Sequence, residues 1–164
     1  MDYNTEHNFI KELEINQRII HKVCRIYTTN NEEHNDLFQE ICIQLWRAYK
    51  SFENKSKFST WAYKVALNTA ISLYRKKKSK IKISGLDINI NQFKYDDYND
   101  DDEQKLKKMY TAIHKLNDID KAFVFLYLED KSYSEMAETL GINEGNVRVK
   151  LNRIKTKLTK LIHS

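Results

Sequence analysis

Asn146, Arg148, Lys150, Asn152 and Arg153 crowd the short stretch NVRVKLNR. These side chains suit nucleic acid. An arginine fork matches O6 and N7 of guanine, an asparagine amide matches N6 and N7 of adenine, and lysines neutralise phosphates. A second set is Phe58, Trp61, Lys64, Asn68 and Arg75, within FSTWAYKVALNTAISLYRKKKSK. Rings interleaved with cations suit an unpaired strand, because bases stack on the rings while the cations follow the backbone. Each set has a plainer reading. The first could be the solvated face of an ordinary helical hairpin. In the second, an aromatic at helical spacing more often packs a core, so Trp61 is expected to be at least partly buried. Asp36 and Glu40 stand one helical turn apart, a spacing open to metal or acid–base work. No histidine follows them at useful spacing and no nucleophile constellation appears, so an enzyme is not the expectation.

The elements that must position these residues can be read from periodicity and punctuation. Around the first set, SYSEMAETLGINEGNVRVKL has the anatomy of a helix-turn-helix. Ser132 and Glu135 fit a capping box, and Gly141 stops the first helix after Leu140. Ile142 is expected to plug the gap beneath the turn, and Asn143 to cap the second helix. The first helix packs through Met136, Ala137 and Leu140. The second carries one apolar stripe, Val147, Leu151, Ile154, Leu158 and Leu161. Upstream, Leu106, Met109, Tyr110, Ile113 and Leu116 share a helix face, and Asn117 or Asp118 can cap the helix DKAFVFLYLE.

In the amino-terminal part, Phe9, Leu13, Ile20, Val23 and Tyr27 predict a helix over 5–28. TTNNEEHN is expected to break it, and a second helix to start near Asp36 with Leu37, Ile41, Leu45 and Ala48 as its stripe. After the polar loop SFENKSKFS, a third helix is predicted from Ser59 to about Lys78. It is apolar on more than one side, which predicts the buried centre of a small bundle.

The chain of 164 residues contains no proline and only three glycines, which favours long helices. The expected class is all-α, with two small helical domains at 1–82 and 105–164 joined by a flexible acidic linker at 83–104. Repulsion among Asp96, Asp97 and Asp100 to Glu103 supports the linker. The plain reading of that run is a solvated tether; a sharper one is a mimic of DNA shielding the basic surfaces. The net charge of +5 points to nucleic acid or another acidic partner. Cys24 and Cys42 form no disulfide framework, and five scattered histidines offer no metal spacing. Neither metal nor cofactor is expected. No apolar run reaches membrane-spanning length, so a soluble, cytoplasmic protein without membrane insertion is expected.

Taken together, the two halves resemble the extracytoplasmic-function (ECF) group of bacterial sigma factors. Region 2 of that family is similar to Asp36-Leu37-Phe38-Gln39-Glu40, Leu45-Trp46, Phe58 to Trp61 and Ala66-Leu67-Asn68 with the basic run after them. Region 4 is similar to LNDIDKAFVFLYLEDKSYSEMAETLGINEGNVRVKLNRIKTKL. The resemblance implies a non-catalytic subunit that binds core RNA polymerase, directs it to promoters and promotes melting. It implies that Asp36, Leu37, Gln39, Glu40 and Trp46 contact the polymerase. The loop 51–59 would capture a flipped base, with Phe58, Trp61, Lys64, Asn68 and Arg75 along the −10 single strand. Asn146, Arg148, Lys150, Asn152 and Arg153 would bind the −35 duplex. It further implies an anti-sigma factor or another regulatory protein as a partner. Two departures bear on base preference: Val149 stands where a small polar residue is common, and Lys150 where an arginine is. The competing reading is a helix-turn-helix regulator that does not bind core polymerase.

Overall fold

The computed structural model describes residues 2–84 and 100–164, with side chains described for 2–80 and 101–164. The chain divides into two compact units, Met1–Asn89 and Ile90–Ser164. The described residues are helical apart from short connections, as an all-α chain requires.

The first unit is a bundle of α1 (Tyr3–Tyr27), α2 (Asn31–Tyr49) and α3 (Phe58–Ser84), each in contact with the other two. Its core joins Ile20, Val23 and Cys24 to Ile41 and Leu45, and to Ala62, Ala66, Leu67 and Ala70. The alanines recur every fourth residue and let α3 approach its neighbours closely. The helix is thus one wall of the bundle, not its centre. Lys64 and Asn68 on its far side are exposed, and the apolar Val65 and Ile71 are only half-buried.

Helix α2 starts earlier than expected because Asn30 caps it. The Asn30 side chain accepts a hydrogen bond from the Glu33 backbone N–H at 2.9 Å. Glu32 and Glu33 then lie in the first turn, where the helix dipole favours carboxylates. Of TTNNEEHN, only Thr28, Thr29 and Asn30 break the helix. Helix α3 likewise starts one residue before Ser59 and continues past Lys78 to Ser84.

The second unit contains α4 (Asp100–His114), α5 (Asp118–Leu128), α6 (Tyr133–Leu140) and α7 (Glu144–His163). Along α5, Ala122 through Leu126 are buried, and α7 is the helix that meets each of the other three. Asn117 caps α5, accepting from the Asp120 N–H at 2.8 Å. The predicted capping box is present in full: Ser132 N–H donates to Glu135 and Glu135 N–H to Ser132. Gly141 takes φ +68° and ends α6, as expected of a glycine at that place. Ile142 does not plug the turn; its side chain is exposed, whereas Met136 of α6 is fully buried. Asp100 to Gln104 belong to α4, where the acidic residues suit a helix start. The rest of the expected linker, 85–99, lies outside the described residues, and with it Asp96 and Asp97 of the DNA-mimic reading.

Candidate nucleic-acid interfaces

Three sides of α7 carry different chemistry. Val147, Leu151 and Ile154 face the core and are buried. On one flank, Lys150 and Lys157 clasp the buried Asp120 of α5, each ammonium 3.5 Å from one carboxylate oxygen. Asn117 Nδ2 also donates to Asp120 at 3.2 Å. On the opposite flank, the Arg148 guanidinium stands 5.4 Å from the Tyr133 ring centroid of α6, a cation–π contact. Lys155 lies 4.1 Å above the ring of Tyr127. Asn146, Val149, Asn152 and Arg153 form the outward face between these flanks, all exposed. The five predicted side chains are therefore not equivalent. Lys150 is held against α5, so it is a structural ion-pair partner before it is a DNA contact. Arg148 is steered to the rim of the face. Asn146, Asn152 and Arg153 stay exposed on the outward face. Tertiary pairing with Asp120 could not be read locally, because its partners are thirty and more residues downstream.

In the first unit, six aromatic residues form one cluster across all three helices and the loop before α3. Phe9 packs on Trp46 and Tyr49, with ring centroids 4.9 and 5.0 Å apart. Phe58 meets Trp61 at 5.3 Å, and Phe52 meets Trp61 at 4.9 Å. Phe58 is only 7% exposed. The ring is packed within the cluster, in tilted contact with Trp61, and offers little open face. Trp61 is half-buried, as anticipated, with Lys64, Asn68 and Arg75 exposed along the same helix. The loop 51–57 contains Asn54 at φ +55° and the exposed ion pair between Lys55 and Glu53.

The candidate docking face lies on α2. Asp36 and Gln39 are exposed, and Glu40 is half-buried with its carboxylate held by Gln44 at 2.7 Å. Leu37 is 6% exposed and points into the bundle, so it positions the face without forming it. Trp46 shares in the aromatic cluster and is half-buried. Ile43 was missed from sequence although it is 43% exposed at the middle of this face, one turn from both Gln39 and Arg47. Its signal was an isoleucine off the Leu37–Ile41–Leu45 stripe. Beside the face, Glu33, Asp36 and Glu40 look across an open groove of about 520 Å³ at Lys76, Lys77 and Lys80. Lys77 closes one end by pairing with Glu33, and burial pushes its ammonium below the usual lysine range.

Burial pushes the Cys24 thiol up to about 12, with the nearby Cys42 adding to it; burial also raises Cys42. Among the described residues, no cluster of three or more histidine, cysteine or acidic side chains could hold a metal. No described helix is long and apolar enough to cross a membrane.

Comparison with known proteins gives the family. The sigma-70 region 2 family matches residues 13–80, and the sigma-70 region 4 family matches 106–158. The chain belongs to the sigma-70 family: it is an RNA polymerase sigma factor, with regions 2 and 4 in that order. Within the family it falls in the ECF group. It is 29% identical over 153 residues to the ECF RNA polymerase sigma factor SigW of Bacillus subtilis (strain 168), covering 86% of this chain and 81% of that one. Identity to the RNA polymerase sigma factor SigV of the same organism is 29% over 143 residues, covering 82% and 81%. Among solved structures, the sigma factor RpoE in complex with the anti-sigma factor NepR from Bartonella quintana matches with a TM-score of 0.75. That match has 20% identity and covers 95% of this chain and 97% of that one, so it bears on the fold. A plain helix-turn-helix regulator is not favoured, because such a protein has no need of region 2.

Proposed function

We propose that this sigma factor divides its labour among three surfaces. The outward face of α2, with Asp36, Gln39, Glu40, Ile43 and Trp46, docks on core polymerase. Trp61, Lys64, Asn68 and Arg75 on α3 hold the unpaired strand of the −10 element, Trp61 by stacking and the cations by following the phosphates. Asn146, Asn152 and Arg153 read the −35 duplex in the major groove, with Arg148 on its rim. The carrying observation is the outward face of α7, where two asparagines and an arginine stay exposed while neighbouring cations are drawn aside to Asp120, Tyr133 and Tyr127. In this reading the chain is a cytoplasmic, non-catalytic subunit needing no cofactor. An anti-sigma protein is a reasonable regulator, since the RpoE and CnrH structures it resembles are complexes with NepR and with the cytosolic domain of CnrY.

The test is reconstitution with core RNA polymerase and sheared genomic DNA, followed by mapping of transcript 5′ ends. Discrete starts beneath a shared two-part upstream motif are expected. Scattered starts with no motif, from polymerase that has bound the chain, would overturn the assignment of base reading to α7.

A further inference from the structure

Val149 is 52% exposed, the most exposed large hydrophobic side chain among the described residues of the second unit. Single exposed apolar residues are ordinary on protein surfaces. This one occupies the centre of the outward face of α7, with Asn146 a turn before it and Asn152 and Arg153 a turn after. A helical side chain leans toward the preceding turn, and the residue one turn back is Gly145. A Cβ at Gly145 would meet only the Asn143 side chain, at 3.5 Å. The ground in front of the valine is therefore bare.

We infer that Val149 selects thymine, packing its isopropyl group on the 5-methyl group of one thymine in the major groove of the upstream promoter element. The inference rests on reading α7 as the recognition helix for that element. A valine can neither pair with a base edge nor hold a phosphate. The one major-groove feature it can recognise is the thymine methyl, which no other base carries. Cytosine in the same place carries only hydrogen at C5 and leaves the isopropyl group without that apolar partner. The β-branched side chain has essentially one rotamer in a helix, so it meets the methyl group pre-ordered. Helix propensity does not explain the residue, since valine is poorer there than the straight-chain alternatives. Asn146 and Arg153 then read hydrogen-bonding edges on either side of an apolar reading head.

The test uses the full chain bound to core polymerase and a promoter located by 5′-end mapping. Each thymine of the upstream element, on both strands, is replaced in turn by deoxyuridine, which pairs alike and lacks only the methyl group. At one position the replacement should weaken binding about fourfold, the worth of one methyl group withdrawn from water. Val149→Ala should weaken binding to the unmodified promoter by a similar factor and be indifferent to deoxyuridine at that position. Val149→Thr, equal in shape but with one methyl group replaced by a hydroxyl, should keep only part of the discrimination. The side chain is exposed, so both variants should keep the parent's melting curve. Losses that simply multiply at every position would overturn the inference, as would a preferred site with no thymine, while upstream base preference persists. If base-pair changes in the element leave affinity unaltered for parent and Arg153→Ala alike, the reading of α7 itself falls, and the inference with it.

Discussion

Phe58 and Trp61 are three residues apart and touch, yet they should fail differently when changed. Phe58 is enclosed by Phe9, Tyr49, Phe52 and Trp61, so Phe58→Ala leaves a cavity and should cost about 3–5 kcal/mol of stability. Trp61 is half-buried, and Trp61→Leu should keep most of the packing while impairing strand opening. Permanganate footprinting of the −10 region, beside a urea melt, separates the two effects; intact opening by folded Trp61→Leu would remove Trp61 from the strand path. The same division applies on α7. Lys150→Ala unpairs one side of Asp120, a carboxylate 8% exposed, and should destabilise by about 1–2 kcal/mol. The figure stays below that of a fully buried pair because Lys157 remains and both ammoniums keep water. Arg153→Ala should leave stability unchanged and relax preference at one −35 position by about 1–3 kcal/mol. Competition binding with point-changed promoters would show it, and equal losses on every sequence would make Arg153 a phosphate contact. Neither distinction was legible from residue types. Sequence brought Phe58 and Lys150 forward because a ring and a cation have the right chemistry. Burial by Phe9 and capture by Asp120 come from distant parts of the chain.

At the scale of elements, what was legible is what is local. Ser132 and Glu135 announced the start of α6, and Gly141 its end, because caps are made by neighbours a few residues apart. The start of α2 was misjudged because Asn30 and the acidic residues after it look like a polar break, yet serve as cap and first turn. Gly141 offers a clean test of element geometry. Nothing lies within 4 Å of a Cβ built on it, so Gly141→Ala pays only for the left-handed backbone, about 1–2 kcal/mol. Gly141→Asn should cost less, since asparagine visits that region more readily; a chemical denaturation series would reverse the argument if the two variants were equal. The seam between α1 and α2 makes a pH prediction. His21 Nδ1 and His34 Nε2 lie 2.9 Å apart, and His21 stacks on Phe38. Desolvation, then Arg25, holds His21 below the usual 6.5; desolvation, then His21 and Arg25, does the same for His34. The folded pair thus favours the neutral form. Its contribution is fully present above the unfolded value of about 6.5 and is lost as pH falls through the depressed folded values. The melting temperature should hold between pH 7 and 8 and decline below about pH 6, the unfolded histidine range. His21→Gln should flatten that decline, whereas an unchanged slope would assign it to the carboxylates.

For the whole molecule, the division into two units with separate cores predicts separable activities. Residues 2–84 bury Ile41, Leu45, Ala66 and Leu67 among themselves, and residues 100–164 bury Phe123, Leu126, Met136 and Leu151. Each half should fold alone and melt cooperatively. The second half should bind −35 duplex with a steep salt dependence, because Arg148, Lys150, Arg153, Lys155, Lys157 and Lys160 crowd α7 with Glu144 as its one carboxylate. The first half should bind core polymerase and unpaired strand. Joining two modest contacts in one chain makes the second an intramolecular event, raising overall affinity by about 10²–10⁴ when both sites can be engaged together. The intact chain should therefore drive run-off transcription at concentrations where the two halves, added together with core polymerase, give little or none. Raising the halves toward millimolar concentration, the range of effective concentration for short linkers, should recover part of the signal. Equal activity of joined and severed chains at low concentration would mean that polymerase holds each half independently and the covalent connection adds nothing to promoter recognition.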